Sequence, residues 1–231
     1  AEYPDTGFEY DRFYWSELEP QEGVYNFDLI DNAFSVAANH QPAMNVGLRV
    51  MVLDDPQTGS KIPDWLIAKG IKGQWVADGK TFVPDLSDPT FIAYAQKLIG
   101  AMGKRYDGNP ELAFIDIGMV GSWGEWHNSN FPDVPKLLDK YTPAQLNRYV
   151  DMHFDSFPKT PKVMLISGGD SLAWASRRGA GWPTSPAPLG CRPLSSLYAK
   201  QLGLAVYRQV PEDAHVVDFA FLDTRDQQAS M

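Results

Sequence analysis

The chain has 231 residues, 44% of them hydrophobic, and a formal net charge of −9. It is long enough to bury the core of one domain, and its acidic balance excludes nucleic acid or an anionic membrane surface as the main partner. Cys191 is the only cysteine, which excludes an intrachain disulfide and a thiolate metal cluster.

In chain order, residues 10–14 (YDRFY) form a short aromatic strand, followed by a loop over 15–25. Asp28 is placed to cap a helix with Ile30, Ala33, Phe34, Ala37 and Ala38 on one face. Residues 46–53 (VGLRVMVL) are apolar on both faces except at Arg49, as in a strand covered on both sides. Asp88-Pro89 is a helix start, and Phe91, Ala95, Leu98 and Met102 follow at helical spacing. Residues 112–120 (LAFIDIGMV) read as a buried strand running into Gly121-Ser122-Trp123-Gly124-Glu125-Trp126-His127. Thr142 to Gln145 is a capping box, and Leu146, Tyr149, Val150, His153, Phe154 and Phe157 form the stripe of the next helix, with His153 a core histidine. Residues 162–167 form another strand, ending in Gly168-Gly169-Asp170. Residues 183–231 are atypical: a proline-rich connection over 183–193, a helix over 194–207 and a last strand over 215–222.

Strands and helices that alternate in this way predict an α/β fold with parallel strands and crossover helices. The expected architecture is a single catalytic TIM-barrel-type (β/α) domain over 1–231, incomplete because five strands are legible where a closed barrel has eight. Acids and indoles gather after the strands, on the face where such folds carry their sites: Trp15, Glu17 and Glu19; Asp54 and Asp55; Trp123, Glu125 and Trp126; Asp170.

A carboxylate between two tryptophans suits glycoside chemistry, because indoles offer flat apolar faces to sugar rings and an apolar setting suits a proton-delivering carboxyl. Glu125 is the expected general acid, and Trp123, Trp126, Trp15, Trp65 and Trp75 are candidate sugar platforms; simple packing is the alternative for each. A glycosidase needs a second carboxylate. Asp170 is the candidate, projecting from the strand beside that of Glu125, with a turn or cap aspartate as the equal alternative; Glu17 is a further candidate. Arg12 and Arg49 either hold a carboxylate ionised or pair with Asp54 or Asp116 to stabilise the sheet, and Arg49 is counted with the substrate-binding group. His127 is placed to bind a sugar hydroxyl.

The stretch Trp15-Ser16-Glu17-Leu18-Glu19-Pro20, Gly23-Val24-Tyr25-Asn26-Phe27 and Ile30-Asp31 resembles the W-x-x-L-E-P-x-x-G-x-Y-x-F-x-x-x-D signature of clan A glycoside hydrolases. Pro63-Asp64-Trp65-Leu66, Arg105-Tyr106 and Pro110 also match. The resemblance is strongest to family 42 β-galactosidases and to related bacterial barrel proteins, and it fades after Trp182. It implies a TIM barrel acting on β-linked glucan or galactan-type saccharides, with Glu125 in the place of the family's acid/base. The family has an Asn before that Glu, where this chain has Gly124; Asn128 is the candidate substitute. The family's nucleophile Glu, at the end of its seventh strand, has no clear counterpart: Glu212 is the only Glu after Glu125.

Two alternatives follow. One is a barrel remnant that binds glycans without cleaving them. The other is a serine esterase, from the literal Gly169-Asp170-Ser171-Leu172 block. The four histidines are scattered and no phosphate or dinucleotide loop is present, so no metal and no cofactor are expected. An oligo- or polysaccharide is the expected partner, with no nucleic acid and no membrane, and the oligomeric state is left open. No charged-then-apolar leader opens the chain, and its start at Ala1 points to processing or a fragment. Secretion or a periplasmic location is favoured over the cytoplasm.

Overall fold

The computed structural model describes residues 8–180; the connection, helix and strand expected over 183–222 lie outside them. Four parallel strands stand side by side: β1 (Phe8–Tyr14), β2 (Asn45–Met51), β5 (Leu112–Asp116) and β6 (Lys162–Val163). Their spatial order is their chain order. Helix α2 (Asp28–Asn39) joins β1 to β2, the short α3 (Asp64–Ala68) and the long α4 (Pro89–Tyr106) lie between β2 and β5, and the short α5 (Leu137–Lys140) and the long α6 (Pro143–Ser156) lie between β5 and β6. This is the (β/α) barrel pattern in an incomplete arc, as the alternation of patterns predicts. Every residue of β2 but the first is buried, in keeping with helices outside and a filled interior. Among the described residues no helix is long and apolar enough to cross a membrane.

Both long helices begin where the sequence places them. The Asp88 carboxylate accepts from the Phe91 N–H at 2.8 Å with Pro89 in the first turn, and Thr142 and Gln145 close a reciprocal box. The two helices meet closely at Gly103, where a Cβ would lie 2.0 Å from the Ser156 carbonyl oxygen. Buried Phe91, Leu98, Met102, Tyr149 and Val150 fill the adjoining core.

The structure departs from the expectations at several ends. Residues 15–18 are a short helix, α1 (Trp15–Leu18), rather than loop. Asp28 is the first residue of α2 and does not cap it; the entry is set instead by Phe27, stacked on Tyr25 at 5.1 Å and edge-on to Tyr106 at 5.8 Å. Ala38 faces outwards. The ladder of β5 stops at Asp116, and β6 has two residues because 166–168 turn into a 3-10 helix. An antiparallel hairpin, β3 (Gly73–Val76) with β4 (Thr81–Pro84), has no counterpart in the sequence reading; its short strands are joined through Ala77 and Asp78, both at positive φ, without the Asn-Gly signal of such turns.

The residues of the N-terminal signature are structural. Trp15 is fully buried, and its indole donates to the Glu19 carboxylate at 2.8 Å. The other Glu19 oxygen accepts from the Gly23 N–H at 2.9 Å, and Trp65 donates to the Glu19 carbonyl at 2.9 Å. Burial pushes the Glu19 carboxyl up against those hydrogen bonds. Further on, the Tyr106 hydroxyl donates to Asp31 at 2.8 Å, and Arg105 also pairs with Asp31.

His153 lies in the core as expected, with Nδ1 2.6 Å from the Tyr149 carbonyl and Nε2 without a partner among the described residues. Burial lowers its pKa from 6.5 to about 4, against the Tyr149 hydrogen bond and the charge of Asp116. The unfolded chain therefore takes up a proton between these values that the native state refuses, so stability falls as pH drops from 6.5 towards 4. The expected contribution is about 3 kcal/mol. Urea denaturation at pH 7 and pH 4.5 checks it: the loss on acidification should be smaller in His153→Gln than in the wild type.

Candidate active site

Parallel register places Arg12 beside Arg49 and Arg49 beside Asp116. Adjacent residues of a parallel sheet point to the same face, so these three form one row near the carboxyl ends of the strands. Arg49 is 1% exposed. Its Nε and one terminal nitrogen donate to Asp116 Oδ2 at 3.0 and 2.6 Å, and its other terminal nitrogen donates to the Trp123 carbonyl at 3.1 Å and to Glu125 Oε1 at 3.3 Å. Tyr10 donates to the same Asp116 oxygen at 2.6 Å, with its ring centre 5.4 Å from the guanidinium. Desolvation disfavours a buried guanidinium, but Asp116, then Tyr10 and Glu125, outweigh it and hold the Arg49 pKa above its usual value.

Glu125 stands on a tight reversal that follows β5. Met119, Gly121, Trp123, Gly124 and Trp126 all have positive φ. The turn is closed by Ser122 N–H to the His127 carbonyl at 2.7 Å and Trp126 N–H to the Val120 carbonyl at 2.9 Å. Left-handed conformations at non-glycine residues cost on the order of 1–3 kcal/mol each and persist only where surroundings enforce them. Here Trp123 N–H donates to the Leu53 carbonyl at 2.8 Å, the Trp126 indole donates to the Ile117 carbonyl at 2.6 Å, and the Ser167 hydroxyl donates to the Glu125 carbonyl. At Gly121 a Cβ would lie 2.2 Å from the His127 carbonyl oxygen.

The carboxylate of Glu125 is buried and polar in its surroundings. Arg12 lies 3.5 Å and Arg49 3.3 Å from Oε1, and His127 Nε2 is 3.4 Å from Oε2. The Ser129 N–H donates to His127 Nδ1 at 3.4 Å, which leaves the hydrogen of a neutral ring on Nε2, towards Glu125.

Several expected site residues are placed elsewhere. Trp15 and Trp126 are core residues, 0% and 3% exposed, and offer no face to a sugar. The two tryptophans that bracket Glu125 in sequence therefore do not enclose it: Trp126 turns inwards, and Trp123, half-buried, reaches sideways to Asp54 at 2.5 Å. Arg49 is too deeply buried to bind substrate and instead holds Glu125. Asn128 is no substitute for the family's Asn, because its amide donates to the Pro135 carbonyl at 2.7 Å and accepts from Leu137 N–H at 3.2 Å. Glu17 is exposed and accepts from the Tyr14 N–H at 3.0 Å, at the start of α1. Asp170 does not project from a strand; it is exposed in the first turn of α7 (Asp170–Arg177). Ser171 is 1% exposed within that helix, which removes the esterase reading, since an attacking hydroxyl must be reachable.

Gly124 stands where the resembling family has Asn, in a tight left-handed position. Its φ is +69°, and a Cβ there would meet the Arg49 side chain at 3.1 Å and the Gly118 Cα at 3.2 Å. A side chain there would be strained by the positive φ and would crowd Arg49 and Gly118, which would have to give way slightly. The sequence reading did not assign roles to Tyr10 and Tyr14, and it offered Asp54 as a partner of Arg12 or Arg49, whereas its oxygens meet Tyr14, Thr58, Trp123 and Lys61.

By comparison with known proteins, the chain is similar to the barrel glycoside hydrolases. The particular match is to family 42: the β-galactosidase family model covers residues 7–119. The curated β-galactosidase BbgII of Bifidobacterium bifidum is 27% identical over 125 residues, covering 51% of this chain and 15% of that protein. The chain thus aligns with a small part of this relative's length. Among solved structures, GH5_18 from Streptomyces cattleya in complex with Manβ1-4GlcNAc has a TM-score of 0.49 at 11% identity, covering 70% of this chain and 36% of its own. A β-galactosidase from a Rahnella species has a TM-score of 0.48 at 15% identity, covering 71% and 31%.

Removing the guanidinium would strand Asp116, itself 1% exposed. Arg49→Met is expected to destabilise by about 3–5 kcal/mol, and Arg49→Met combined with Asp116→Leu by clearly less than the sum of the two single changes. Urea denaturation of the three variants checks this.

Proposed function

We propose that the chain carries the acid/base carboxylate of a glycosidase that cleaves β-linked oligo- or polysaccharides of the β-galactoside or β-glucan type, and that this group is Glu125. The observation that supports the reading most is the position of this carboxylate: at the carboxyl end of a parallel strand, on a strained loop, with one oxygen held by two arginines. Such a hold fixes direction, which is what a proton donor to a glycosidic oxygen requires. Oε1 is the anchored oxygen. Proton transfer runs through Oε2, and His127 beside it takes a sugar hydroxyl or adjusts the hydrogen bonding of that oxygen.

Asp170 is proposed as the partner carboxylate. It lies in the first turn of α7, which follows β6, three positions beyond Ser167, whose hydroxyl bonds to the Glu125 carbonyl. Exposure keeps it available to an attacking water, and a water between the two carboxyls would give inversion. Trp123 is the proposed sugar platform, since it is the partly exposed indole of the Glu125 loop, and Glu17 is proposed to shape the rim.

A second reading is supported by the same contacts: a carboxylate paired with Arg12 and Arg49 could serve to hold a glycan that is not cleaved. Sugar release from β-linked polysaccharides and aryl β-glycosides separates the two. Under the first reading, Glu125→Gln lowers turnover by about 10²–10⁴-fold with the urea midpoint little changed. Turnover equal to wild type in a folded variant removes Glu125 from the chemistry. Saccharide binding by both proteins with turnover by neither establishes the second reading.

A further inference from the structure

Beside Glu125 lies a second polar cluster, at the end of β2. Asp54 Oδ2 accepts from the Tyr14 hydroxyl at 2.7 Å and from Thr58 at 3.2 Å, and Oδ1 accepts from the Trp123 indole N–H at 2.5 Å. Lys61 Nζ stands 3.8 Å from Oδ2 and 4.6 Å from the centre of the Tyr14 ring. Burial alone would raise the Asp54 carboxyl, yet the bonds from Tyr14, Trp123 and Thr58 together with Lys61 hold it below the usual carboxylate range. It is an acceptor with its oxygens already engaged, which suits a clamp better than a proton carrier.

What it clamps is Trp123. This residue has φ +53° on a loop, remains partly exposed, and has the His127 ring at 5.9 Å. An indole so placed loses freedom when a sugar stacks on it, at about 0.5–1.5 kcal/mol for a side chain immobilised on binding. The Asp54 bond imposes that order beforehand. The main chain of Trp123 gives its carbonyl to the same Arg49 nitrogen that reaches Glu125, while its indole extends away, to the loop after β2. The platform therefore sits beside the carboxylate rather than over it.

Building on the glycosidase reading above, we infer that Asp54 is a positioning residue that fixes the Trp123 indole as the platform for the sugar unit neighbouring the one at Glu125. Asp54 thereby favours β-linked oligosaccharides over single glycosides.

The test uses the 231-residue chain, with β-1,4-linked galactotetraose and glucotetraose, and methyl β-galactoside as the single unit. Acrylamide quenching without sugar reports the Trp123 indole, taken as the signal lost in Trp123→Phe. Calorimetry reports affinity. In Asp54→Ala, Trp123 should become more quenchable and the tetraose Kd should rise about tenfold, the size of one aromatic contact, with a smaller rise for methyl β-galactoside. Asp54→Ala combined with Trp123→Ala should bind no more weakly than Trp123→Ala. Asp54→Asn, whose amide oxygen still accepts from the indole, should recover most of the affinity. A wild type that binds the tetraoses, with additive losses in the double variant or an unchanged Trp123 signal in folded Asp54→Ala, overturns the inference alone. A wild type that binds none of the saccharides overturns the glycosidase reading and the subsite with it.

Discussion

The buried Arg49 guanidinium is the constraint around which the upper part of the sheet is arranged. A cation removed from water must find carboxylates and carbonyls to replace its hydration, and Arg49 finds them on two different segments: Asp116 within the next strand, and the Trp123 carbonyl and Glu125 beyond it. The demand reaches further. Glu125 can meet Arg49 only if the chain doubles back after β5, and the positive φ values from 119 to 126 are the backbone form of that reversal. Gly124 and Gly118 are bare where the arginine stem passes. One charge thus sets the register row, the loop shape and the direction of the carboxylate.

Much of the scaffold was legible in the sequence because it rests on local chemistry. The Asp88-Pro89 start, the Thr142–Gln145 box and the apolar stripes of α4 and α6 depend on spacing within a few residues. Parallel strand order followed from alternation alone. The ends of elements were less legible, because they depend on what arrives from elsewhere: β5 leaves its ladder at Asp116, where the row with Arg49 is completed, and the strand expected over 162–167 coils after Val163.

The site was legible as a location and poorly as a geometry. Glu125 was visible from its neighbours, but the meaning of those neighbours was reversed. Two flanking tryptophans promise an apolar slot only if both turn towards the carboxylate, and side-chain direction on a run of left-handed residues does not follow strand or helix alternation. Trp126 turns into the core, Trp123 turns to Asp54, and the surroundings of Glu125 come from residues 76 and 113 positions away along the chain, Arg49 and Arg12. Such partners become visible only once the sheet register is known.

The buried Glu19 has a further consequence. Its carboxylate and carbonyl are occupied by Trp15, Gly23 and Trp65, so Trp15, Leu18 and Glu19 of the most recognisable stretch are turned inwards, and the family match ends before Glu125 is reached. Likeness here is written in the chassis and in the loop after β2, and Glu125 lies beyond the matched stretch. A likeness confined to that stretch carries the fold and leaves the carboxylate at residue 125 to be judged by its own contacts.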